Sequence, residues 1–194
     1  MENKNVKITN RKILSDNWYL LEEIEFDYLT SKGKWQNQKR ESYNRGNGAC
    51  ILLFNKEKQT IILTKQFRMP SYINGNSNGM LLEVCAGLLD GDDPKTCIIK
   101  EVEEEVGYKI TSPKKVFELY STPGAVTEKI HYFISLYTPS MKVSEGGGLD
   151  SENEDIEVLE IPFKKAIEMV KTGEICDTKT VLLIQYAQLH NLLN

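Results

Sequence analysis

"AGLLDGDDPKTCIIKEVEEEVGY" occupies residues 86–108, and its second half sets four glutamates, Glu101, Glu103, Glu104 and Glu105, within five positions. Pro94 suits the first turn of a helix and Gly107 suits its C-terminal cap, so the segment predicts a helix from about Asp93 to Val106. At 100° per residue, Glu101, Glu104 and Glu105 share one stripe about 100° wide, while Ile98, Val102 and Val106 form an adjacent apolar stripe. Glu103 points elsewhere. Like charges at these spacings each destabilise a helix by a few tenths of a kcal/mol, and acids in the last turn also oppose the helix dipole. A solvated acidic face with Lys95 and Lys100 as partners would explain an arbitrary glutamate run. Here the stripe borders the apolar face, a glycine-rich turn precedes the helix, and a second acidic cluster, "DSENED", lies downstream. Carboxylates so placed suit hard divalent cations, above all Mg²⁺, which takes a few carboxylates and completes its shell with water and phosphate oxygens. An EF-hand loop beginning at Asp90 would put Asp92 and Glu101 in register. It fails because Pro94 and Lys95 fall where a ligand and an obligatory glycine belong.

Outward from this helix the chain reads as an α+β arrangement. "WYLLEEIEFDYL" and the basic "WQNQKRESYNR", between Lys12 and Arg45, predict two or three antiparallel strands with an exposed face. "CILLF" and "TIILTKQF" predict core strands, "MPSYINGNSNGM" a loop, and "LLEVCAG" a further strand. "VFELY", "IHYFISLY" and "IEVLEI" follow as strands, "SEGGGLDSENED" as a mobile loop, and "PFKKAIEMVKTG" and "KTVLLIQYAQLHNLL" as closing helices. At 194 residues the chain can bury a substantial core. Its 40% hydrophobic and 27% charged residues are ordinary globular composition. A net charge of -4 gives no basic footprint for nucleic acid or anionic membrane. The polar start and the lack of any run near the roughly 18 apolar residues of a span predict a cytoplasmic protein without a membrane partner. Four dispersed cysteines and two histidines argue against zinc and for reduced thiols.

Residues 86–108 resemble the Nudix box, G-x5-E-x7-R-E-U-x-E-E-x-G-U with U a bulky apolar residue. Gly87, Lys100, Glu101, Val102, Glu104, Glu105, Gly107 and Tyr108 take its positions, with lysine for the usual arginine. Asp93 replaces the first glutamate, and only six residues separate it from Lys100, so the turn is one residue short. The match continues through "KILSDNWYLL", "KRESYNRGNGACILL", "KQFR", "FELYSTPGAVTEKIHYF", "GGGLDSENEDIEVLEIPF" and "IEMVKTGEICDTKTVLL". Over nearly its whole length the chain is similar to the GDP-mannose-cleaving Nudix hydrolases.

That resemblance implies a Nudix α/β/α sandwich with a mixed sheet at 46–194 and an N-terminal β-subdomain at 1–45 exchanged across a homodimer with shared active sites. It also implies Mg²⁺-dependent hydrolysis of GDP-mannose to GMP and mannose 1-phosphate, with Mn²⁺ as a substitute. ADP-ribose or another ADP-sugar is the alternative substrate, since base preference depends on a few hydrogen bonds outside the box. A non-catalytic sensor could dispense with Glu101 or Glu105, so their presence favours an enzyme. By resemblance Ala86, through its carbonyl, and Glu101, Glu105 and Glu154 hold metal. Glu154 is the base, Glu152 its rival, and Glu104 orients waters or a ligand. Substrate contacts carried over the same way are Trp18, Lys39, Arg40, Glu41, Arg68, Ala86, Glu105, Glu128 and Lys179. Trp18 would stack on guanine, Lys39 and Arg40 would reach a partner's site, and Arg68 would clamp phosphate.

Overall fold

The computed structural model describes residues 3–149, 151 and 153–193. The chain divides into two compact units, Met1–Asn47 with Tyr120–Lys129, and Gly48–Leu119 with Ile130–Asn194.

In the first unit β1 (Val6–Asp16), β2 (Leu20–Leu29) and β3 (Trp35–Asn44) form an antiparallel sheet in the order β1-β2-β3. β1 begins earlier than alternation suggests, because register shifts between Ile8 and Asn10 and between Ile13 and Ser15 break its period of two. Trp18 lies in the bend between β1 and β2 rather than in a strand, and is 85% exposed. The segment 120–129 returns to this unit. The Tyr43 N–H donates to the Ala125 carbonyl at 2.8 Å, and the Thr127 N–H to the Tyr43 carbonyl at 3.0 Å. No residue of β1, β2 or β3 is buried.

The second unit contains a seven-stranded mixed sheet. Its path runs through β10 (Glu157–Pro162), β5 (Thr60–Phe67), β4 (Gly48–Asn55), β9 (Lys129–Leu136) and β8 (Lys114–Tyr120). β6 (Met80–Glu83) pairs with β5, and β7 (Cys85–Leu88) pairs with β4. Only β4 with β9 is a parallel pair among those whose register is defined. Every residue of β4 is buried, and its alternation sorts the core into two layers. Cys50, Leu52 and Phe54 join Ile61 and Leu63 against Phe163, Ala166 and Met169 of α3 (Phe163–Thr172) and Leu183, Ile184 and Ala187 of α4 (Thr178–Leu189). Ala49, Ile51 and Leu53 join Ile62 against Cys97, Ile98, Val102 and Val106 of α2 (Pro94–Val106). A continuous apolar run is what a strand covered on both faces requires, and the unit is an α/β/α sandwich.

Two local features depart from the sequence reading. The loop after β5 contains a short helix, α1 (Met69–Ile73), started by Pro70 near its N-terminus. "LLEVCAG" splits into β6 and β7 at Val84, whose N–H donates to Thr180 Oγ1 at 2.8 Å instead of to a strand.

α2 starts where Asp93 Oδ1 accepts from the Lys95 and Thr96 N–H groups at 3.1 and 3.2 Å. Hydrogen bonding from Thr96, its side chain first and then its N–H, with the Lys95 N–H adding, holds the Asp93 carboxyl below its usual range. Asp93 is therefore a helix N-cap, which is served by a shorter side chain than glutamate. Asp93→Ala is expected to lower the Tm by a few degrees and leave kcat within about twofold; thermal melts beside steady-state assays check this.

Candidate active site

α2 presents its glutamates in three different settings. Glu103 and Glu104 are exposed, Glu101 is half-buried, and Glu105 is 2% exposed. The helix turns Glu105 toward β7, where the Ala86 N–H donates to Glu105 Oε2 at 3.2 Å. Burial, reinforced by the charges of Glu101 and Glu154, pushes the Glu105 carboxyl up to about 8 despite the thiol of Cys85 and the Ala86 N–H favouring its ionised form. The same burial, with Glu105 beside it, pushes the Cys85 thiol well up. Burial of this kind favours the neutral acid unless a cation offsets the charge.

Gly87 explains how Glu101 joins the site. A Cβ at Gly87 would overlap Oε1, Cδ and Cγ of Glu101, so the Glu101 side chain lies directly on the bare backbone of β7. Two of the three glutamates of the predicted stripe, Glu105 and Glu101, are thus brought against Ala86 and Gly87, while Glu104 is exposed.

The glycine loop is docked rather than loose over its first half. The Gly147 and Gly148 N–H groups donate to the Glu105 and Glu104 carbonyls at 2.8 and 3.2 Å. They cap the last turn of α2. Gly146 lies at φ 70, and a Cβ there would overlap the Glu105 carbonyl oxygen, so the approach is backbone to backbone. This loop then brings Glu154 round, where Oε2 accepts from the Leu149 N–H at 3.1 Å. Its charge acts on Glu105. Glu152 lies outside the described residues.

Arg68 and Lys179 meet on a residue that the motif reading missed. Glu83, 3% exposed, accepts from Arg68 Nε through Oε2 and from Lys179 Nζ through Oε1, each at 2.7 Å. Lys179 also donates to Asp177 Oδ1 at 2.8 Å. Burial alone would lower the Lys179 ammonium, but Glu83 and Asp177 carry it up to about 12. The available signal was a single charge in the otherwise apolar "MLLEVCAG".

The remaining predicted contacts belong to the first unit. Lys39 pairs with Glu23 and Glu25 across the sheet, Arg40 donates to Gln38 Oε1 at 3.0 Å, and Glu41 stands opposite Glu23 in the register. Glu128 is buried, held by Arg45 at 3.4 Å and by the Ser121 hydroxyl at 2.8 Å.

Whether a divalent ion fits can be judged from the donor set. Among the described residues no three His, Cys, Asp or Glu side chains are preassembled around one point. Glu101 and Glu105 nonetheless provide hard oxygen donors beside the Ala86 backbone. A Mg²⁺-type shell needs only one or two carboxylates when substrate phosphates and water supply the rest. The chemistry of the residues therefore fits such an ion.

Residues 5–43 match the family model described as the GDP-mannose pyrophosphatase NudK N-terminal domain, and residues 44–184 match the NUDIX domain. A GDP-mannose pyrophosphatase of Escherichia coli O1:K1 / APEC is 51% identical over 189 residues, covering 97% of this chain and 98% of the relative. Its namesake from Salmonella arizonae is 52% identical over 190 residues, covering 98% of each chain. That of Shigella dysenteriae serotype 1 is 51% identical, covering 97% of this chain and 98% of its own.

Proposed function

This chain belongs to the Nudix hydrolase family, and from that premise we propose that it hydrolyses the diphosphate linkage of GDP-mannose to GMP and mannose 1-phosphate with Mg²⁺. The observation that carries the reading is the buried Glu105, with Glu101 laid on Gly87 beside it. The full-length likeness to GDP-mannose pyrophosphatases, including the N-terminal domain, selects the substrate.

Glu101, Glu105 and the Ala86 carbonyl hold the ion, and Glu154 adds a further oxygen. When bound, a divalent ion neutralises the diphosphate and lowers the pKa of an attacking water. Glu154 receives the water's proton, and the docked glycine loop keeps its carboxylate within the electrostatic reach of Glu105. Arg68 and Lys179 face the diphosphate charge. Trp18 stacks on guanine, while Lys39, Arg40, Glu41 and Glu128 contact the nucleotide sugar, with Lys39 and Arg40 serving a partner's site. Assays of GDP-mannose and ADP-ribose at matched concentrations test the assignment: a higher kcat/KM for ADP-ribose would replace the substrate. Glu154→Gln is expected to reduce kcat by about 10²-fold or more and Glu152→Gln by far less. The reverse order in single-turnover measurements would move the base to Glu152.

The same reading makes the protein a homodimer. The three-stranded sheet has no buried residue, and it exposes Ile8, Ile13, Leu14 and Trp35. Such a sheet needs a covering surface for stability. Sedimentation at micromolar concentration should give twice the chain mass; a monomer with full activity would exclude shared sites. Among the described residues no helix is long and apolar enough to cross a membrane. Four free thiols suit a reducing compartment, and we place the protein in the cytoplasm.

A further inference from the structure

We propose that Glu83 is a positioning residue that presents Arg68 and Lys179 as one preassembled cationic pair to the diphosphate, an inference that rests on the hydrolase reading above. Each Glu83 oxygen serves a different cation, Oε2 the Arg68 Nε and Oε1 the Lys179 Nζ, both at 2.7 Å. These three residues come from the N-cap of α1 just after β5, the end of β6 and the first turn of α4, so one carboxylate fixes the relative placement of two cations distant in sequence.

Stability is a poor explanation for this arrangement. Burying a carboxylate and an ammonium is opposed by desolvation, and well-packed apolar residues often replace such pairs without loss. Positioning accounts for more of the geometry. Asp177 also accepts from Lys179, and Thr180 ties α4 to the chain at Val84, the residue after Glu83. Arg68 uses Nε toward Glu83, and its side chain is 40% exposed, so the guanidinium is anchored at one end and presented at the other. Ala86 lies three residues beyond Glu83 and donates to Glu105. The stretch 83–87 thereby touches the cations at its start and the acidic pair at its end, which fixes both halves of a phosphate-handling site on one short piece of backbone.

The test uses the full-length protein and GDP, a diphosphate whose binding can be read without turnover. Calorimetric titration in Mg²⁺ is expected to show Glu83→Gln weakening GDP by about tenfold, the scale of one lost bond to a charged group. Mn²⁺ binding, read from the electron paramagnetic resonance of the free ion, should stay at the wild-type value, because the acidic pair is untouched. In an Arg68→Gln, Lys179→Gln background the Glu83 substitution should add no further weakening, since it acts through those two cations. Unchanged GDP affinity, or a loss fully additive with the cation substitutions, would overturn the inference. If Glu83→Gln fails to fold, Glu83→Asp keeps the charge but is too short to reach both cations, and the same titration decides. Wild-type protein that leaves GDP-mannose intact while Glu83→Gln still weakens GDP would reject the substrate and retain the positioning role.

Discussion

Glu105→Gln is expected to lower kcat for GDP-mannose by about 10²–10³-fold or more, the scale on which one preorganised charge-stabilising group acts in a site sheltered from water. Glutamine keeps the volume and still accepts from the Ala86 N–H, so the fold persists. What it loses is the negative charge that, in the proposed function, holds a cation against a diphosphate. Turnover within a few-fold of wild type would remove Glu105 from the metal site.

The same substitution changes stability in the opposite sense. The Glu105 carboxyl is raised from 4.5 to about 8 in the folded chain, chiefly by burial. Between these values the metal-free folded state keeps a proton that the unfolded state releases, so its stability falls as pH rises from about 4.5 to about 8. Glu105→Gln should flatten that slope, which makes the variant the more stable form at neutral pH without metal. Mg²⁺ is expected to reverse the effect by taking the proton's place, and binding at pH 7 should release about one proton, measurable by calorimetry in buffers of different ionisation enthalpy. A pH-independent metal-free Tm would show that the carboxyl is already ionised by some other partner.

The readable part of this chain was what repeats or caps. Proline, glycine and the 3.6-residue period located α2 to within a residue, and two apolar runs located β4 and β5, because these signals are local. Helical spacing also separated Glu103 from the stripe. It could not rank the stripe, because Glu105 and Glu104 differ by their distance from β7, a strand placed by pairing with β4. Glu83 was hidden for the same reason. Its partners lie 15 and 96 residues away, and no periodic pattern links them. The glycine run "GGG" signalled freedom, whereas the fold uses it for close approach to the end of α2. A bare backbone serves either purpose, and only the neighbour decides which.

That principle makes Gly87 the most informative single position. Its φ lies outside the left-handed region, so alanine is conformationally acceptable, and an added methyl in a strand favours the extended chain. The nearest atoms the Cβ meets are those of the Glu101 side chain, which is flexible and can swing aside without moving the helix. Gly87→Ala is therefore expected to melt at or above the wild-type temperature while kcat falls by about 10²-fold, the cost of misplacing a reacting group by about 1 Å. Metal affinity should fall with it, because one of the proposed carboxylate ligands has left the site. Adding Glu101→Gln to this variant should cost little more, since the displaced carboxylate no longer contributes; a full further loss would mean that Glu101 still reaches the metal and that Gly87 is required for some other contact. Loss of folding in Gly87→Ala would carry a different lesson, that Glu101 is locked in place by its surroundings and that the strand, rather than the side chain, yields to the added methyl.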